Sequence, residues 1–306
     1  MLTLVILLCG CAQQNPNGTA TRAPVAGSEP DDLAWTQALI EHREEIDDAF
    51  RTSNTSPMAG TQYLKSQPTV RVHLTRQGKT FALAYSADPA AEIAVTREGA
   101  AWTWEDLRGD VLCRIDEEQV ETGSALAGPA TFVIAGLHLR FYPAKDRVTF
   151  IVYDPERPEK RSFDHLLYFP PDRSYAVAAK FLAIPEPEEI EMLTSRGLKK
   201  TFYRYATIRF QLNGEDQELT AFKSELTGEG SESLFIPFRD STSGHDTYGA
   251  GRFLDIDEPQ SEHFVLDFNR AYNPLCNYSP AFNCPIPPRE NRLPVAIRAG
   301  EMTYPH

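Results

Sequence analysis

The sequence predicts a mainly β protein: two tandem β-sandwich- or barrel-like modules behind one N-terminal amphipathic helix. Three observations predict it. Short runs in which apolar and polar residues alternate fill the chain from about Thr69 to Asp154 and again from Tyr175 to Asp267, and a period of two places successive side chains on opposite faces of a strand. Gly, Asn, Asp and Pro separate these runs as hairpin turns require. No alternation of strand and helix patterns appears, which argues against a parallel sheet with helical crossovers.

The helix is expected over Asp31 to Arg51. Leu33, Trp35, Leu39, Ile40, Ile46 and Phe50 recur at spacings near three and four and form one apolar stripe. Glu41, Arg43, Glu44, Glu45, Asp47 and Asp48 occupy the opposite face. Asp31 and Asp32 supply a cap and negative charge at the positive end of the helix dipole.

The first β module, with the helix, is expected over 31–165. Its clearest strand is GLHLRFY, in which Leu137, Leu139 and Phe141 point one way and His138, Arg140 and Tyr142 the other. Cys113, in the alternating run VLCRI, reads as a small buried hydrophobe. The Pro-rich stretch Asp154 to Asp172 joins this module to a second one, expected over 166–306. There the strands are YAVAAKFLAI, TFYRYATIRFQL, QELTAFKS, SLFIPF, RFLDI and HFVLDF, with Asn213-Gly214 as a two-residue hairpin turn. PEPEEIEML between the first two reads as a short acidic helix or loop. Past Asp267 the chain turns irregular, with Pro274, Pro280, Pro285, Pro287 and Pro288 close together. Coil of this length inside a folded body is usually functional or covalently held.

The first residues carry a different signal. Leu2 to Leu8 is one apolar run, far short of the roughly 20 residues that span a bilayer but suited to the apolar segment of a signal peptide. Leu8, Cys9, Gly10 and Cys11 resemble a bacterial lipobox, which implies a cleaved signal peptide over 1–11 and Cys11 as the lipid anchor. Residues 12–30 are rich in Pro, Gly, Ala, Thr and Asn and cannot bury enough surface to fold. They read as a tether about 25 Å long on average. The expected location is the cell envelope, lipid-anchored at the outer membrane or cell surface, with the membrane met only through the anchor.

Charge and composition narrow the partners. Asp and Glu outnumber Lys and Arg by 43 to 30, for a net charge of -13. Nucleic acid needs a basic face, so it is not an expected partner. No phosphate-binding loop, dinucleotide-binding glycine pattern, zinc pattern or nucleophile elbow occurs, and no cofactor is expected. His263, Asp267 and Asn269 have metal-ligand chemistry and share a strand face. His263 sits where a strand begins after an acidic loop and reads as solvent-exposed, so no metal is assigned. Of the five cysteines, Cys276 and Cys284 are the pair able to bridge in an oxidising compartment. The closed loop is short, and such a bridge is worth about 2.5 kcal/mol in the chain-entropy model.

From Phe235 onward the polar residues become specific in type: FIPFRDSTSGHDTYGAGRFLDI, then VLDFNRAYNPLCNYSPAFNCPIPPRENRLPVAIRAGE, preceded at Phe169 to Phe181 by an FPPDxxYxVxAxF pattern. These runs resemble the bacterial and archaeal family called domain of unknown function 1684, some members of which look like lipoproteins. The resemblance implies no activity. It does single out Asp240, Thr242, Gly244, Thr247, Tyr248, Gly251, Arg252, Asp267, Asn269, Arg270, Tyr272, Asn273, Cys276, Cys284, Asn291, Arg292, Arg298 and Glu301 as motif positions.

Those residue types allow three readings. In the first, Arg252, Arg270, Arg292 and Arg298 pair with Asp240, Asp267 and Glu301 as a polar clasp that locks a coil poor in regular hydrogen bonds. In the second, Tyr248, Arg252, Asp267, Asn269, Tyr272, Asn273 and Arg292 line a pocket for a small molecule or envelope component: Arg holds an anionic group while Asn and Tyr orient it. In the third, an envelope hydrolase or transferase uses Asp267, with Arg252 and Asn269, as a general base. No catalytic residue follows from the sequence.

Overall fold

The computed structural model describes residues 29–66, 71–99, 101–116, 118–126, 128–144, 147–228 and 231–305. The lipobox with Cys11 and almost all of the expected tether lie outside the described residues. Helix α1 runs Glu29–Thr52. It starts two residues ahead of the expected position, with Pro30 in its first turn, where a missing N–H costs nothing. The apolar stripe divides: Leu39 and Phe50 are buried, whereas Leu33 is 75% exposed. Arg43, expected on the polar face, is buried instead. Its two terminal guanidinium nitrogens donate to the carbonyls of Phe169 at 3.0 Å and Asn269 at 3.3 Å, which partly offsets the burial of a group that otherwise stays in water.

Two compact units divide the chain. The first comprises Asp48–Asp164 and, from far along the sequence, Tyr278–Asn283. Its strands are β1 (Gly60–Ser66), β2 (Arg71–Gln77), β3 (Thr80–Ala84), β4 (Ala91–Glu98), β5 (Ala101–Asp106), β6 (Leu112–Ile115), β7 (Glu118–Gln119), β8 (Ala125–Leu126), β9 (Ala130–Ile134), β10 (Leu137–Pro143) and β11 (Val148–Tyr153). They form a six-stranded sheet in the order β1-β11-β10-β9-β6-β7 and a five-stranded sheet in the order β3-β2-β4-β5-β8. Leu74, Val95 and Trp104 from one sheet and Phe132, Leu139 and Phe150 from the other share a single core, as in a β-sandwich. Leu137, Leu139 and Phe141 are buried as the alternation requires, and Phe141 faces Phe150 across the strand pair with ring centres 5.3 Å apart. Cys113 lies in this core, and burial pushes its thiol up to about 12. Tyr278–Asn283 completes the unit: Tyr278 packs edge-on against Phe50 at 5.0 Å, and Ser279 Oγ donates to the Gly60 carbonyl at 2.7 Å. A Cβ on Gly60 would stand 2.9 Å from the Phe282 ring, so that position has no room for a side chain.

The second unit contains the described residues up to Asp47, His165–Asn277, and the chain from Cys284 onward. Residues of α1 through Asp47 therefore group with this unit, whereas the sequence assigned the helix to the first β module. Its antiparallel sheet has the order β16-β15-β14-β13-β12-β17. The strands are β12 (Ala176–Leu193), β13 (Lys199–Leu212), β14 (Glu215–Lys223), β15 (Ser233–Phe238), β16 (Arg252–Asp257) and β17 (His263–Asp267). PEPEEIEML is neither helix nor loop; it is the second half of β12. The pairing with β13 breaks between Ala183 and Glu188, the stretch holding Pro185 and Pro187, which have no N–H to give a ladder. Asn213 and Gly214 form the β13–β14 turn, both at positive φ.

The sheet of this unit uses both faces. Ile208, Phe210, Leu219, Ile236, Phe238 and Leu254 form the core on one side, covered by Leu293, Ile297 and Ala299 of the irregular C-terminal chain. On the other side Phe202 stacks on Phe235 at 5.4 Å, and Phe235 meets Phe253 at 4.8 Å. A bulge in the β13–β14 pairing between Arg204 and Ala206 lets this second aromatic cluster coexist with the first core.

Candidate functional site

The motif residues of the second unit separate into a closed set and an open set. Arg252 heads the closed set. It is 1% exposed, and its guanidinium donates to Asp240 Oδ2 at 2.8 Å, to the carbonyls of Ile297 at 2.7 Å and Glu301 at 3.2 Å, and to that of Ala299. Burial lowers its pKa, and the Asp240 carboxylate opposes that shift. Asp240 is in turn held by the Thr242 N–H at 2.6 Å. The preceding residue, Gly251, sits at φ 104°, and a Cβ there would fall 2.4 Å from the Phe238 carbonyl oxygen. Only glycine allows the chain to pass that close and turn Arg252 inward.

Asp267, Asn269 and Asn273 belong to the same closed set. Asp267 Oδ1 accepts the Asn269 N–H at 2.9 Å and Asn269 Nδ2 at 2.8 Å, while Oδ2 accepts Trp35 Nε1 at 2.9 Å. Asn269 also exchanges hydrogen bonds with the backbone of Asp172, giving Nδ2 to its carbonyl at 2.8 Å and taking its N–H at 2.9 Å. The Asn273 N–H donates to Glu301 Oε2 at 2.8 Å, and Nδ2 to the Met302 carbonyl at 2.7 Å. Asn291 performs the same service for β14 and β15, binding the backbone of Thr220 both ways and the Pro237 carbonyl. These side chains replace the ladder that the irregular backbone lacks. Arg292 and Arg298 stand apart from it: both are exposed, and Arg298 pairs with Asp246 at 3.4 Å.

Tyr248 and Tyr272 belong to the open set, and the partner of Tyr272, Asp255, is one that the sequence did not single out. The Tyr272 hydroxyl donates to Asp255 Oδ2, and its ring lies edge-on to Phe253 at 5.8 Å. Asp255 pairs with Phe235 in the register of β15 and β16, so both sit on the second face of the sheet. Its side chain is exposed to water yet hemmed in by surrounding protein, and incomplete hydration raises its pKa to about 6 against the pull of the Tyr272 hydroxyl and the Lys200 charge. Tyr248 donates its hydroxyl to Cys276 Sγ at 3.7 Å, and the Cys276 N–H donates to Cys284 Sγ at 3.2 Å. Ser195, just past β12, holds the Cys284 backbone in both directions, at 2.8 Å and 3.1 Å. Both cysteines are free thiols in the structure, where the sequence expected a bridge.

Asp255 and Phe253 were legible as neighbours on one strand face, because RFLDI puts them two residues apart. Lys200 and Ser195 had no such signal; their place depends on how β12 and β13 pair. Among the described residues no group of three His, Cys, Asp or Glu gathers closely enough to hold a metal ion. A separate shallow groove of ≈ 840 Å³ runs past Arg173, Lys180, Arg209, Glu218 and His263. Its charges pair among exposed neighbours, Lys180 with Glu262 and Arg209 with Glu218, so it lacks the convergent groups that mark a binding site.

Residues 161–302 match the family described as protein of unknown function (DUF1684). No curated protein matches the chain. Among solved structures, the solution NMR structure of an uncharacterized protein of Haloarcula marismortui is 40% identical over 49% of this chain and 83% of that chain, with a TM-score of 0.41. The matched stretch contains the clasp, the Tyr272–Asp255 pair and both thiols, and by it the chain belongs to the DUF1684 family of proteins of unknown function.

Proposed function

We propose that the chain is a lipid-anchored envelope protein and that its second unit is a binding module for a small or cell-surface ligand. The ligand face is that of Asp255, Tyr272, Lys200 and Tyr248. One observation carries this reading. Arg252 is held by Asp240 and backbone carbonyls, and Asp267 and Asn269 by each other, Trp35 and the Asp172 backbone, while Asp255 remains exposed with a pKa displaced to about 6. An exposed carboxyl held by a tyrosine hydroxyl, with a displaced pKa, is a candidate for ligand contact. A carboxyl beside a tyrosine suits a hydroxyl-rich ligand, which offers donors to Asp255 and a flat face to the Tyr272 ring. The anchor reading draws on the lipobox at Leu8 to Cys11 and the tether behind it. Among the described residues no helix is long and apolar enough to cross a membrane.

A hydrolase or transferase built on Asp267 would need that carboxylate to take a proton, yet its two oxygens already accept three hydrogen bonds. The purely structural reading has the clasp in its favour, and it predicts that the open face is dispensable.

The test is native mass spectrometry of the protein purified from membranes after growth with a clickable fatty acid. The expected result is fatty-acid label on Cys11 and a bound mass that Asp255→Ala loses while keeping the melting temperature. Unlabelled protein with intact Met1 would refute the anchor. A wild type without bound mass after exposure to envelope glycans would refute the ligand face.

A further inference from the structure

We propose that Cys276 and Cys284 form a reactive dithiol, in which Cys276 attacks hydroperoxides and Cys284 resolves the product into an intrachain disulfide. The proposal does not depend on the ligand reading above.

Accessibility assigns the roles. Cys276 is half-buried, whereas Cys284 is 5% exposed. Three donors converge on the Cys276 sulfur: the Cys284 thiol, the Tyr248 hydroxyl at 3.7 Å and the Ser195 hydroxyl. Hydrogen bonds to a sulfur favour its thiolate, which is the nucleophile. The Cys284 hydrogen bond, chief among these, lowers the Cys276 pKa to about 7 against the opposing effect of burial, and the same contact raises that of Cys284. The first proton to leave therefore comes from the accessible sulfur. Lys200 is a cation acting on Cys284, and Tyr272, bonded to Asp255, is near enough to Cys284 to be affected by its charge. Ser195 clamps the Cys284 backbone on both sides, and the Cys276 N–H contacts the Cys284 sulfur, so the two thiols are held together before any reaction.

In the first step the Cys276 thiolate attacks the outer oxygen of a hydroperoxide. An S–O bond forms, the O–O bond breaks, and the alcohol or water leaves after taking one proton. In the second step Cys284 gives up its proton and its sulfur attacks the sulfenic sulfur of Cys276. The S–S bond forms, the S–O bond breaks, and hydroxide leaves with that proton as water. Two thiols are oxidised and one peroxide is reduced.

The experiment uses the full chain, reduced with dithiothreitol under native conditions and desalted. Iodoacetamide labelling from pH 5 to 9 is read site by site on peptides. Cys276 is expected to label ahead of Cys113 and Cys284 with a midpoint near 7, where an ordinary thiol titrates near 8.5. Tyr248→Phe should move that midpoint upward without changing the melting temperature. Hydrogen peroxide should remove both thiols from the wild type and join Cys276 to Cys284, and in Cys284→Ser a dimedone adduct should accumulate on Cys276. Three outcomes would overturn the proposal: a bridge that native dithiothreitol cannot reduce, a Cys276 midpoint of an ordinary thiol, or peroxide that leaves both thiols intact.

Discussion

Arg252 and Asp255 stand three positions apart on β16 and have opposite fates. Arg252 is turned into the core with both terminal guanidinium nitrogens bound by carbonyls and Asp240, and removing one partner of a buried pair leaves an uncompensated charge. Asp240→Ala should therefore cost about 3–5 kcal/mol, measurable by denaturant unfolding. His42 offers a pH test. Burial, with Arg270 and Arg43 nearby, lowers its pKa from 6.5 to about 4. The unfolded chain then binds more protons than the folded one between those values, so the His42 contribution is intact above pH 6.5 and is lost as pH falls toward 4. His42→Gln should flatten that part of the stability profile. For Asp255 the sign reverses. Its folded pKa lies above the ordinary 3.8, so the folded state is favoured by protonation and that advantage is gone above about pH 6. Sequence showed the residue types of the clasp, because charged and amide side chains at fixed places in FRDSTSG and DFNRAYN stand out against a β background. It did not show which were closed and which open, since that depends on partners such as Trp35 and Asp172, remote in the chain.

Strand existence and facing were largely written in the alternation of apolar residues. GLHLRFY landed as a strand because period two and aromatic content agree there, and SLFIPF because a short continuous apolar run rich in Phe and Ile suits a strand buried on both faces. PEPEEIEML misled, because two prolines and four glutamates outweigh a weak alternation; it pairs with Lys199–Arg204 of β13, where Glu191 meets Lys199 and Glu188 meets Arg204. Helix α1 is fixed in the second unit by polar contacts as well as by its stripe. Trp35→Phe removes the indole donor to Asp267 and keeps most of the ring, so a loss of about 1 kcal/mol is expected. Calorimetry of the variant measures it, and a loss of several kcal/mol would mean that the ring rather than the hydrogen bond does the holding.

At the scale of the whole molecule, the two β bodies were legible and their membership was not. Nothing in NYSPAF announces that Tyr278–Asn283 groups with Asp48–Asp164, because the complement, a bare Gly60 beside Tyr153, lies more than a hundred residues away. Phe282→Ala should therefore deprotect β1 and β11 in amide exchange, with a cost of about 3–5 kcal/mol. The exposed ion pairs add little to either body, since such pairs are worth 1 kcal/mol or less each. The division between a closed clasp and an open face is the claim on which the functional reading depends, and scanning calorimetry at pH 7 of Asp267→Ala beside Asp255→Asn tests it directly. The clasp variant should melt several degrees below the wild type and the face variant at or above it. Equal losses in both, or a loss confined to Asp255→Asn, would contradict the division.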